Sequence, residues 1–303
     1  MKKAFIQLHI AVFLAGFTAI LGKLITLHEG MLVWYRMLIT AVTLLMLLYF
    51  RKELKRLSLK NTIKLFGVGA IVALHWVTFY GSIKYSNVSV SLTCLSAIGF
   101  FTAFIDPVIT GRRIDATEVA LGMLAIAGIY LIFDFYPEYK LGILFGIISA
   151  LLASLFPVIN KNLLKEFSAK TVTLYEMSGG FIALTFIMPL YLKFFPAVYY
   201  LPTLNDWLWL LVLAWVCTVF TFILALNALK KISPFTANLA YNLEPVYGII
   251  LAFIIFKENK YLSSGFYYGL ALILLAVVLQ MVRVILKAKN DRKIDMENKF
   301  LNT

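Results

Sequence analysis

Residues 5–26 read FIQLHIAVFLAGFTAILGKLIT. The one ordinarily charged side chain in this stretch is Lys23, near its end. An α-helix rising 1.5 Å per residue needs about 20 mostly apolar residues to cross a bilayer. Met1-Lys2-Lys3 precedes the stretch and no small-x-small cleavage pattern follows. It therefore reads as a first transmembrane helix, not a removed leader.

The same pattern recurs over 31–50, 63–83, 88–109, 116–133, 141–159, 172–195, 207–229, 235–256 and 263–286, giving ten expected spans. Turn and charge chemistry separates them, as in His28-Glu29-Gly30, Tyr85-Ser86-Asn87 and Lys230-Lys231-Ile232-Ser233-Pro234. Of the 303 residues, 62% are apolar and 14% charged, with a mean hydropathy of +0.89. Soluble domains run roughly 45–50% apolar and about 25% charged. This composition excludes a soluble enzyme, a disordered chain and a disulfide-stapled secreted module. Cys94 and Cys217 both lie deep in apolar runs and read as packed side chains.

The net charge of +13 belongs to the loops. With the N-terminus in the cytoplasm, cytoplasmic segments hold 21 Lys and Arg and outer loops hold 5. The positive-inside rule then puts both termini in the cytoplasm, as an even number of spans requires. No stacking or RNP-type motif accompanies the charge, so no nucleic-acid partner is expected.

The chain also repeats itself. Trp34-Tyr35-Arg36-Met37 parallels Leu174-Tyr175-Glu176-Met177 at an offset of 140, and Ile83-Lys84 parallels Leu229-Lys230 at 146. Ser96–Ala103 runs in step with Asn242–Ile249, and Gly122-Met123-Leu124-Ala125 with Gly269-Leu270-Ala271-Leu272. Each half holds five spans, an odd number, so the halves insert with opposite topology. The expected fold is all-α: ten transmembrane helices in a five-plus-five inverted repeat, with halves at 1–137 and 138–286 and a polar cytoplasmic tail at 287–303. Inverted repeats mark alternating-access carriers with a site near the midplane.

These features resemble the drug/metabolite transporter superfamily, in its EamA-type ten-helix branch. The strings that carry the resemblance are Trp34-Tyr35-Arg36, Ala228-Leu229-Lys230-Lys231-Ile232-Ser233-Pro234, and Leu243-Glu244-Pro245-Val246 leading to Phe256-Lys257-Glu258. His75-Trp76, Phe79-Tyr80-Gly81-Ser82-Ile83-Lys84 and Ser86-Asn87-Val88-Ser89 resemble a bacterial subgroup of that branch. Two departures stand out: Gly111 is followed by Arg112 where members often carry Gly-Glu, and Gly99 stands where the second half has Pro245. The resemblance implies export or exchange of small metabolites.

Charges inside the membrane are costly, at least ~2.5–3.5 kcal/mol at a helix centre, and are functional candidates by default. Arg36, Asp106, Glu176 and Glu244 are such charges. In the ninth span Asn238, Tyr241, Asn242, Glu244, Pro245 and Gly248 share an arc of about 160°. Glu244 reads as a substrate-contacting or proton-carrying carboxylate, against a buried structural carboxyl. Arg36, about 8 Å inside the outer face, suits a substrate carboxylate, against a gate ion pair. Glu176 lies at a similar depth from the other face, so the two are poor partners for one another. A cytoplasmic gate is its main alternative role.

His75, Trp76, Phe79 and Tyr80 cover about 140° of the third span. They read as a proton-shuttling histidine in an aromatic pocket, or equally as packing. Ser89, Thr93, Ser96 and Phe100 read first as close helix packing. Asp106 reads as a helix-end feature, and Lys23 as a side chain that snorkels.

No P-loop, HExxH or GxSxG motif is present, so no cofactor, metal site or catalytic residue is expected. The expected partners are a small-molecule substrate and the lipid bilayer, with protons as a candidate coupling ion through Glu244 and His75. The favoured reading is a non-enzymatic secondary transporter in the cell membrane that moves small amphipathic metabolites, such as amino acids, outward. The rivals are a membrane-embedded enzyme, a non-transporting scaffold and a phosphorylated-sugar or nucleotide-sugar exchanger. The last would want several midplane cations, where only Arg36 and Lys23 are on hand.

Overall fold

A computed structural model describes the chain except for Met1, Tyr136, residues 233–236, 238, 239, 242, 302 and 303, and except for the side chains of 133–137, 284, 285 and 287–301. Its helices are α1 (Lys2–Leu24), α2 (Glu29–Phe50), α3 (Leu59–Tyr85), α4 (Val88–Leu95 continued by Ile98–Thr110), α5 (Ala116–Phe135), α6 (Lys140–Leu163), α7 (Ala169–Phe194), α8 (Leu204–Leu229), α9 (Leu243–Phe256) and α10 (Ser264–Leu301). Among the described residues eight are long and apolar enough to cross a membrane; α5 and α9 are shorter apolar helices. Nine of the expected spans are present as helices, and of the ninth, expected at 235–256, the described helix covers Leu243–Phe256. Two details differ. The α4 helix breaks at Ser96-Ala97, and α10 runs on to Leu301, past the expected end at 286.

The starts follow local chemistry. Ser58, Asn87 and Ser168 cap α3, α4 and α7 by accepting from backbone N–H groups three residues on. Thr203 and Asp206 form a reciprocal capping box that opens α8. Within α8, Trp215–Phe220 is a π turn. The extra residue frees backbone carbonyls from the regular ladder, and the hydroxyls of Thr218 and Thr221 take up Leu213 O and Val216 O at 2.8 and 2.9 Å.

Helix packing is symmetric under exchange of the halves. α2 lies along α7 and α5 along α10; α3 crosses α6 and α7 as α8 crosses α1 and α2; α4 packs on α6 as α9 packs on α1. Lys84, near the end of α3, donates to Ile25 O just past α1. At the same face Gly142, at the start of α6, abuts Ser86. Thus α1 ends where its mate α6 begins, and these two helices run in opposite directions. The mates Gly111 and Lys257, which end α4 and α9, both adopt left-handed backbone, with φ of 75° and 55°. At the α5–α10 crossing, a Cβ on Gly128 would lie 2.6 Å from Gly269 O and one on Gly269 2.5 Å from Gly128 O. Only glycine permits that approach, the usual device for joining helices in lipid.

The face opposite the first residue of α1 is tied shut. Lys23 Nζ pairs with Glu258 Oε1 at 2.7 Å. The Thr26 N–H donates to Asp206 at 2.7 Å, Tyr199 OH donates to Thr26, and Tyr191 OH donates to Glu29 at 2.8 Å. The face at which α1 begins carries Arg112 with Asp106 and Glu118 at 2.9 and 2.8 Å, and Arg283 paired with Asp115. Asp106 is thus the helix-end residue expected, while Lys23 is held in an ion pair rather than snorkelling free.

Candidate solute site between the repeats

A cavity of about 110 Å³ lies between the halves. One water needs roughly 10–15 Å³ of such space, so the cavity has room for several waters or one small solute. Its walls come from α1, α2, α3, α4, α6, α8 and α9. Most are apolar; the polar exceptions include Arg36, His75, Asn160 and Glu244.

Arg36 is 2% exposed. Its Nε donates to Thr218 Oγ1 at 2.7 Å, its Nη1 to Tyr80 OH at 2.7 Å and its Nη2 to Cys217 O at 3.4 Å. Cζ sits 3.6 Å from the centroid of the Trp76 ring, within cation–π range. The π turn of α8 sets Thr218 and Cys217 O in place for these contacts. All three acceptors are neutral, and no carboxylate among the described residues comes within 4 Å. Glu244, 9% exposed on the first turn of α9, lines the same cavity and acts on Arg36 through space.

The other candidates divide. Trp76 and Tyr241 line the cavity; Tyr80 is fully buried behind Arg36 as its acceptor. His75 lines it too, but its Nδ1 is already engaged by Ser149, 2.9 Å from the carbonyl and 2.8 Å from the hydroxyl, while Ser149 Oγ also meets His75 O. This reciprocal tie joins α3 to α6. Glu176 is fully buried on α7 outside the cavity wall, with its backbone against Gly69 of α3. Asn238 and Asn242 lie outside the described residues.

The aromatic wall includes Phe156 of α6 and Phe222 of α8, which no polar signal marked; Phe222 meets Trp76 edge-on at 5.8 Å. Asn160 was also missed, although an amide inside an apolar span is the kind of signal that marks such a residue.

The fold and site together define a helical membrane protein of two repeats enclosing a solute-sized cavity with one buried cation and one buried acid in its walls. The EamA-like transporter family model matches residues 2–134 and 140–282, so the chain belongs to that family. An uncharacterized transporter of Archaeoglobus fulgidus is 28% identical over 172 residues, 57% of this chain and 59% of that protein. This match therefore spans under two thirds of that relative. A crystal structure of a further protein matches at a TM-score of 0.63 with 16% identity, covering 93% of this chain and 97% of that one, which supports the fold.

Proposed function

We propose that the protein is a secondary carrier that exports a small zwitterionic or amphipathic metabolite, such as an amino acid, across the cell membrane by alternating access. The observation that carries this reading is Arg36, a buried guanidinium held by neutral acceptors at the wall of a cavity whose other wall holds Glu244. A planar guanidinium pairs bidentately with a carboxylate; Glu244 would receive an ammonium group. Trp76, Phe79, Phe156 and Phe222 would cover the apolar part of the solute.

Positive-inside charge supports cytoplasmic termini. The cavity wall reaches Leu8, Asn160 and Leu229 toward that side, while the far face is tied shut, which supports an inward-leaning state. Protons are the coupling ion this reading favours. A phosphorylated-sugar exchanger is disfavoured, because Arg36 is the one cationic Lys or Arg among the described cavity-lining residues.

The test is uptake and exchange of a panel of labelled amino acids by proteoliposomes. At least one should exchange, and Glu244→Gln, which keeps shape and removes charge, should weaken exchange of substrates bearing an ammonium group. Glu244 loses its assigned role if the well-folded variant exchanges every panel member as the parent does. A panel that does not exchange at all removes the substrate class.

A further inference from the structure

We propose that Glu176, reached from the cavity through Asn160, is a proton-binding site separate from the solute site at Arg36 and Glu244. The proposal rests on the carrier reading for its role in coupling, but the site itself stands on geometry. Glu176 and Asn160 are both fully buried, 0% exposed. Neither carboxyl oxygen of Glu176 and neither polar atom of the Asn160 side chain has a partner of hydrogen-bond geometry among the described residues. The Asn160 amide is nonetheless close enough to bear on the carboxyl as a hydrogen-bonding neighbour. Asn160 itself lines the cavity, so it stands between the carboxyl and that space.

A buried polar group left unmatched is unfavourable, and two adjacent ones form a site for something mobile. A structural carboxyl would be surrounded by donors, as Asp206 is.

The charged and titratable groups of the neighbouring helices are turned elsewhere. Arg36 of α2 faces Thr218 and Tyr80; His75 of α3 faces Ser149, and Lys64 of α3 is exposed. Lys161 of α6 donates to Leu229 O and Ile232 O, Cys217 of α8 lies beside Arg36, and on α7 itself Lys170 pairs with Glu53 and Tyr175 donates to Lys55 O. Among the described residues no cation pairs with Glu176, and a buried carboxyl without a counter-charge favours the O–H form. One carboxyl and one amide offer too few oxygens for a metal cation, which leaves the proton.

The repeat sharpens the point. Glu176 is the mate of Arg36, so corresponding positions carry a hydrogen-bonded cation in one half and an acid without a hydrogen-bond partner among the described residues in the other. When α3 and α6 shift against α7 during turnover, water reaching Glu176 takes the proton; on return the carboxyl takes one back from water on the other side. One O–H bond breaks and one forms per cycle, with no net chemistry on the protein.

Two measurements test this on the full chain in lipid. The first is infrared difference spectroscopy during a pH jump, with the proton itself as probe. A titrating carboxylic-acid band should be present, vanish in Glu176→Gln, shift in Asn160→Ala and persist in Glu244→Gln. The second compares, in proteoliposomes, uptake of labelled amino acid driven by a pH gradient with exchange at equal pH. In Glu176→Gln the gradient-driven excess should fall at least tenfold relative to that reference. If the band survives Glu176→Gln, the proposal is overturned; if Glu176→Gln does not fold, an unshifted band in Asn160→Ala overturns it. A full gradient response in a folded Glu176→Gln protein also overturns it. If the parent exchanges no amino acid, the carrier reading fails while the infrared result still decides the proton site.

Discussion

Glu258 holds Ser89 across 169 residues: Oε2 accepts from the Ser89 N–H at 2.9 Å and from its hydroxyl at 2.6 Å. Oε1 accepts from Val88 N–H and pairs with Lys23. One carboxylate from the second half thus caps the N-terminus of α4 and clamps α1, where the helix dipole and unmatched N–H groups favour negative charge.

Glu258→Gln keeps part of the cap and loses the charge. Hydrogen bonds to charged groups contribute about 1.5–3 kcal/mol, so the variant should lose stability on that order. The seal should also loosen. Cys217 borders the cavity and is 3% exposed. In a Cys94→Ala background an impermeant thiol reagent added from the Glu258 side should label it faster in the variant. Equal labelling rates would show that this clamp does not gate the cavity.

Orientation has its own test. Reporter fusions at Lys55, Arg113, Lys165, Lys230 and the C-terminus should read cytoplasmic, and those at Gly30, Tyr139 and Thr203 external. A cytoplasmic reading at Tyr139 would leave the first half with an even number of crossings, against the inverted packing of α1 and α6.

The helices were legible because each span must satisfy its own backbone in lipid, which writes a run of apolar residues into the chain. Arg36, Glu176 and Glu244 were legible because charge inside such a run is rare. Their surroundings were not. Arg36 reads in sequence as an isolated cation, yet two of its three acceptors, Thr218 Oγ1 and Cys217 O, come from a π turn in the other half that no local pattern announces. Tyr80 shares a helix face with Trp76, but the close approach of Arg36 turns it into a buried acceptor instead of cavity wall. Glu258 reads as a loop residue because its partners Lys23 and Ser89 sit in the other half, and contacts between halves have no short-range signature.

His28 gives the closed face a pH dependence. Its Nδ1 accepts from Gly30 N–H at 3.2 Å and caps α2, so the ring proton sits on Nε2, 3.3 Å from Glu29. Burial holds its pKa below the usual histidine value, with Lys84 adding to the effect and Glu29 opposing it. The folded state disfavours the proton, so this contribution to stability is full above the unfolded pKa of about 6.5 and is lost as pH falls below it. The unfolding temperature should therefore drop between pH 8 and pH 5. His28→Asn, which keeps a capping acceptor and cannot titrate, should flatten that drop. Parallel pH profiles for the two proteins would discount His28.

The guanidinium of Arg36 lies 3.6 Å from the Trp76 ring centroid and is held in a fixed orientation by three further contacts. Arg36→Lys keeps the charge but cannot reproduce the planar fork, so a carboxylate would be met by a point charge. The half-saturation concentration for exchange should rise about tenfold, equivalent to about 1.4 kcal/mol. Trp76→Phe keeps an aromatic face with a weaker quadrupole and should cost about 0.5–1 kcal/mol, two- to fivefold. Because the two side chains share one contact, the double variant should lose less than the sum of the singles. Proteoliposome exchange measured over substrate concentration, with unfolding temperatures in parallel, separates binding from stability. If Arg36→Lys saturates at the same concentration and turns over at the same rate, while only its unfolding temperature falls, Arg36 is a strut between α2, α3 and α8, and the substrate carboxylate has to be sought elsewhere in the cavity.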